Sequence, residues 1–214
     1  AQSSLAAEST TPSWTHTPVG TPTCVVVMLY FSLATGPTVN PTYGGQAMTK
    51  VGETVGASQY AVIFTLVNPP SGAQTVALTW PSTDASIQGA ITFTGSVGNG
   101  DNFNGTEEGD GDVTNTISNT RTTDMIVQIA GNENDAAHAP QSGQTEDWDA
   151  EAGVTAKHGA GYHMTASATS TTARVTGGTT LILVACRING IIDQTNTGTL
   201  TFSGTIVRTT SISK

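Results

Sequence analysis

The sequence predicts an all-β protein: a two-sheet antiparallel sandwich of jelly-roll type with about ten strands. Three observations lead there. Apolar residues almost never recur at the 3–4 spacing of an amphipathic helix. Short β-branched runs recur instead, bounded by Gly, Pro, Asn, Asp or Ser, which is strand-and-turn punctuation. Charged residues are only 11% of the 214 and aromatics 6%, so the surface must be covered largely by Thr, Ser, Asn and Gln. The apolar residues that remain sit in compact blocks, which can build a core where a uniformly polar chain could not.

Taken in order, residues 1–12 read as a flexible N-terminal arm and 13–214 as a single β-sandwich domain. The arm, "AQSSLAAESTTP", has no basic start and no apolar block, so it is not expected to be a signal peptide. "CVVVMLYFSLA" (Cys24 to Ala34) is continuously apolar, the pattern of a central strand buried on both faces. "PTYGGQAMTKVGE" (Pro41 to Glu53) reads as a strand or tight hairpin bent at Gly44-Gly45. "SQYAVIFTLVNPP" (Ser58 to Pro70) is a strand stopped by two prolines. In "GAQTVALTWP" (Gly72 to Pro81) Val76, Leu78 and Trp80 face one way and Thr75, Ala77 and Thr79 the other. "SIQGAITFTGS" (Ser86 to Ser96) is a further strand. Two polar loops are expected next, Asn99 to Thr116 and Asn132 to Gly153. Between them Met125, Val127 and Ile129 line one side of a strand. "GAGYHMTASATS", "TTARVTG", "TTLILVACRI" and "TLTFSGTIVRTTSI" complete the set. No repeat of fixed period is visible.

Net charge is −9, and it is unevenly placed: twelve of the sixteen acids lie between Asp101 and Glu151, with Arg121 the one base among them. Such a field repels nucleic acid, so no nucleic-acid partner is expected. The longest apolar run, Cys24 to Phe31, is far short of the ~20 residues of a membrane helix, so no membrane role is expected. Two cysteines, Cys24 and Cys186, are too few for a disulfide scaffold and wrongly spaced for zinc. They read as buried thiols acting as small apolar residues, and a bond between them stays open.

Candidate chemistry is sparse. An EF-hand register fails in Asn99 to Thr116, because position three from Asp101 is Phe103 and position twelve is Asp112. Asp110 and Asp112 remain as a loose candidate for Ca2+; the bland alternative is a solvated Gly-rich turn. "TEDWDAE" (Thr145 to Glu151) sets Trp148 between Asp147 and Asp149. That acid–aromatic–acid stretch could grip a sugar or a partner protein; otherwise Trp148 folds back onto the sandwich edge. A carboxylate pair could also run glycoside hydrolysis. His158 and His163 flank a Gly-rich turn at five-residue spacing, without an evident third zinc ligand. "NGT" at Asn104 fits a glycosylation sequon. No Ser sits in a G-x-S-x-G setting, and there is no P-loop or dinucleotide fingerprint. The expectation is a protein that is not an enzyme and needs no cofactor.

Several segments stand together in one order: "WTHTPVGTP", "VNPTYGGQAMTKV", "NPPSGAQTVALTW", "GAGYHM" and "TTLILVACRI", over roughly Ser13 to Asn189. This resembles a family of small β-sandwich structural or accessory proteins of tailed bacteriophages, of the capsid decoration or fibre-associated type. The paired motifs "TYGGQAMT" and "PSGAQTV" carry the likeness and look structural. The acidic loops and the segment after Ile188 depart from the pattern. The resemblance implies a virion location, at the capsid surface or otherwise extracellular. It implies as partners the major capsid protein and copies of the chain itself, expected as a homotrimer. The alternative it leaves open is a tail- or fibre-associated carbohydrate-binding module, with Trp148, Asp147 and Asp149 as contact residues.

Overall fold

The computed structural model describes residues 2–7, 9–80, 85–95, 98–108, 112–133, 138–152, 157–167, 169–176 and 180–190. Among them are seventeen strands and no helix. The first nine are β1 (Gln2–Ala7), β2 (Ser13–His16), β3 (Cys24–Phe31), β4 (Val39–Tyr43), β5 (Gln46–Ala47), β6 (Thr49–Val55), β7 (Tyr60–Val67), β8 (Gln74–Thr79) and β9 (Ser86–Phe93). The next eight are β10 (Asp101–Glu108), β11 (Asp112–Thr120), β12 (Met125–Asn132), β13 (Ala139–Pro140), β14 (Thr145–Ala152), β15 (Lys157–Thr165), β16 (Thr169–Thr176) and β17 (Leu181–Ile188).

The all-β antiparallel sandwich holds, and the described residues build it from four sheets rather than two. Their orders are β2-β8-β4-β5, β1-β9-β3-β7-β6, β10-β17-β12-β15-β14 and β11-β16-β13. Side-chain alternation stacks them. Val25, Val27, Leu29 and Phe31 of β3 pack with Tyr43, Val76, Leu78 and Trp80 toward the first sheet. Cys24, Val26, Met28 and Tyr30 point the other way, onto Val127, Ile129, Val184 and Cys186 of the third. The third sheet's far face, including Ile126, Leu183 and Tyr162, meets Val113 and Ile117 of β11. The two five-stranded sheets are therefore inner layers, and the other two are outer. This is why every residue of β3 is buried: a strand apolar on both faces needs a layer on each side.

The topology repeats. In the first half β1 pairs with β9, β2 with β8, β3 with β7 and β4 with β5. These nested pairs alternate between two sheets, which is the jelly-roll wrapping. The second half runs β10 with β17, β11 with β16 and β12 with β15 in the same alternation. Registers match as well. Cys24 opposes Val67 and Phe93 as Met125 opposes Thr165 and Ile188. A β-bulge skips Val51 between Lys50 and Gly52, and another skips Asp147 between Glu146 and Trp148. The chain is two jelly rolls joined through their inner sheets.

The two rolls are related by a pseudo-twofold axis running along β3 and β12. β1 of one inner sheet lies beside β14 of the other, and reciprocally β6 lies beside β10. Tyr30 and Gly131 are equivalent by register, and they touch: a side chain on Gly131 would overlap the Tyr30 ring. The Tyr30 hydroxyl crosses to the other roll, 2.8 Å from the Asn132 carbonyl and 2.9 Å from Gln59 Oε1. Gln59 in turn donates to the Thr180 carbonyl at 2.6 Å. Burial raises the Tyr30 pKa, which keeps the hydroxyl protonated as a donor.

Several expectations change. The N-terminal arm is an edge strand: β1 pairs with β9 from Gln2↔Ile91 to Ala7↔Ser86. Beyond it, the Thr10 and Pro12 carbonyls accept from the Trp80 and Leu78 amides. Small polar residues make a poor core strand, but they suit an edge whose ladder supplies the bonding. Both expected polar loops are largely strand: β10 and β11 occupy the first, β13 and β14 the second. "HGAGYH" is strand as well. Its glycines make room for large neighbours: a Cβ on Gly159 would come 3.1 Å from Ile87 of the facing sheet, and one on Gly161 would press on the indole of its cross-strand partner Trp148. The strand expected at Thr199 to Ile212 lies outside the described residues.

Replacing Tyr30 by Phe keeps the ring on Gly131 and removes the hydroxyl that crosses between rolls. The expected cost is about 1–2 kcal/mol, read as a lower urea midpoint with unchanged m-value. An unchanged midpoint would show that this bond contributes nothing to the joint.

Candidate functional site

The acids concentrate on β10 and β14, and Asp101, Asp147, Asp149 and Glu151 there meet basic partners. Asp101 takes a two-pronged bond from Arg187, Nε at 2.8 Å and Nη2 at 2.9 Å. That guanidinium holds the Asp101 carboxyl below its usual range. The bulge on β14 turns Asp147 toward His163, whose Nδ1 lies 2.9 Å from both carboxylate oxygens. Asp149 holds His158 Nδ1 at 3.2 Å, with Glu151 3.8 Å from its Nε2. His158 and His163 stand five positions apart on one strand, an odd offset. They therefore project from opposite faces of the sheet and cannot share an ion. Asparagines close the corner between β10 and β11. Asn115 Nδ2 donates to the Asn104 and Leu183 carbonyls, both at 3.1 Å, and Thr106 bonds Asn115 Oδ1 at 2.6 Å.

Trp148 is not on a loop. It lies on β14 at 6% exposure, in the core between the inner sheets, its indole over Gly89 and Gly161. Its neighbours diverge: Asp147 is buried against His163, while Asp149 on the other face is partly exposed. The structure therefore does not gather Trp148, Asp147 and Asp149 into one exposed patch. Asp110 lies outside the described residues, as does the Asp112 side chain. Among the described residues no three His, Cys, Asp or Glu side chains converge as a metal site would require. Cys24 and Cys186 are both fully buried thiols, on facing sheets rather than on paired strands. Burial, with Cys24 nearby, pushes the Cys186 thiol up.

The concavity of interest is a groove of about 180 Å³ at one end of the pseudo-twofold axis. Phe93-Thr94-Gly95 enters it from the first roll and Ile188-Asn189-Gly190 from the second, and these triplets are register equivalents. Met125 and Thr123 complete it. Phe93 also meets the His163 ring edge-on, centroids 6.1 Å apart. The walls are fixed from behind. Asn189 Nδ2 reaches Asp101 Oδ2 at 3.2 Å, and its Oδ1 accepts from Arg121 at 3.2 Å. Asp124, fully buried, accepts the Arg121 amide at 2.9 Å and the Gly190 amide at 3.1 Å. A side chain at Gly190 would collide with the Thr123 carbonyl.

Sequence reasoning did not find this groove. Its elements are two strand ends, "FTG" and "ING", each an ordinary turn signal. Only the register shows that they are equivalents meeting at one place. No family model, no curated protein and no solved structure matches the chain.

Two other histidines are packed into the fold. His16 is fully buried beside Ser3, Nδ1 to Oγ 2.8 Å, and His138 lies next to Asn132. Burial lowers both pKa values to about 4. Unfolded, each titrates near ~6.5, so between those values the unfolded chain binds more protons. The stability these two rings contribute is complete above about pH 6.5 and declines toward pH 4. Urea midpoints measured from pH 7.5 down to 4.5 should fall steadily. A flat profile across that window would contradict the neutral, buried assignment of these two rings.

Proposed function

We propose that the chain is a non-enzymatic virion structural protein, a capsid decoration or cement protein binding the outer shell, with copies of itself as further partners in a homotrimer. The observation that supports it is the four-layer build. Two jelly rolls share one continuous apolar core between their inner sheets, which packs the two halves as one block. Jelly rolls recur in viral coat and lectin domains, so the argument from fold is one of analogy. The resemblance of Ser13 to Asn189 to tailed-phage accessory proteins points the same way. A decoration protein needs rigidity, a polar exterior and little chemistry, and charge-poor, Thr-rich strands supply the first two. It would act at the capsid surface, outside the cell, without nucleic-acid or membrane contact. Neither Ca2+ nor another cofactor is part of this role.

The test is to image the native assembly from which the chain comes, with the purified chain added back to shells that lack it. Saturable, symmetric knobs on an icosahedral shell are expected. Density only at a tail tip or fibre, or no shell binding at any concentration, would overturn the reading.

A further inference from the structure

We propose that the groove on the pseudo-twofold axis binds a single sugar ring. This goes beyond a structural role, since a spacer has no use for a small-molecule site. The groove has two chemically distinct surfaces. Phe93 and Met125, both partly buried, form an apolar floor backed by the buried Ile188. Thr94, Thr123 and Asn189 form a polar rim with hydroxyl and amide groups. A pyranose ring has the matching surface: C–H groups on one face and hydroxyls around its edge.

Position and stiffness agree with this. Ligand sites favour the junction of two packed units, with mostly apolar walls and a few placed polar groups. At about 180 Å³ the groove is smaller than the ~300–1,000 Å³ of drug-sized sites, so it takes one ring and not an extended chain. The Asn189 amide is already held by Asp101 and Arg121. Little side-chain freedom is then lost when a ligand arrives, which favours binding. The rim carries no net charge among its lining residues, so a neutral sugar fits it better than a phosphate or a carboxylate.

The experiment is saturation-transfer NMR on the full chain with free hexoses and N-acetylhexosamines as probes, each at millimolar concentration. At least one should receive saturation at its ring protons. Asn189→Ala should weaken that binding by about tenfold. Phe93→Ala should abolish it. Because Phe93 also packs on the core, Thr94→Arg serves as the second variant: Thr94 is exposed, and a long side chain there closes the groove without emptying the core. Binding lost in Thr94→Arg at an unchanged melting temperature supports the site. No probe binding to the wild type, or binding undiminished in Thr94→Arg, overturns it. The same holds if the groove is found filled by an apolar side chain of a partner protein.

Discussion

The architecture depends on one constraint: the two inner sheets are apolar on both faces. A sheet of that kind cannot end at water, so each needs a covering layer on both sides. Each roll supplies one cover from its own outer sheet and finds the other in its neighbour's inner sheet. Val26, Met28 and Ile63 on one side and Val127, Ile129 and Val184 on the other are fully buried only because the rolls are together. Separating them would expose this whole face, at roughly 25 cal/mol for every Å² of apolar surface. The rolls are therefore halves of one core rather than beads on a string.

Sharing the core has consequences at single residues. Small side chains appear where the layers press closest, and large ones lie over them: Tyr30 on Gly131, Trp148 on Gly89, Phe103 on Gly52. Gly52 and Trp148 are themselves register equivalents. At the same seam one roll contributes the space and the other the ring. The acids of β14 fit this account too. The corresponding strand β6 carries Lys50, Val51 and Glu53 where β14 carries Glu146, Asp147 and Asp149. The acidic character thus belongs to one roll, and on its β14 hairpin it is matched by His158 and His163 on the facing strand.

Much of the fold was legible from the residues. The unbroken apolar run of β3 announced a strand buried on both faces, the alternation in β8 named its inward residues, and that in β12 named one of the two faces the strand buries. Gly44-Gly45 was read as a bend, and both glycines have positive φ, 57° and 79°. What was not legible has physical causes. β1, β10, β11 and β14 are polar or edge strands, held by ladder bonds and side-chain amides rather than by a hydrophobic period, so composition labelled them arm or loop. The duplication is not visible in the residues because equivalent strands share shape and not sequence: "CVVVMLYF" corresponds to "MIVQIAGN". A β-ladder needs register and inward bulk, and many residue sets satisfy both. The groove was hidden for the same reason, since it exists only where two such equivalents meet.

The most direct test of the shared core is the reactivity of its two thiols. Cys24 sits on one inner sheet and Cys186 on the other, both fully buried. An aromatic disulfide reagent should label neither in the folded protein. In increasing urea both should become reactive together, with the same free energy and m-value as global unfolding. If either thiol reacts rapidly in the native state, or the two open at different urea concentrations, the inner sheets do not form one continuous core and the account fails.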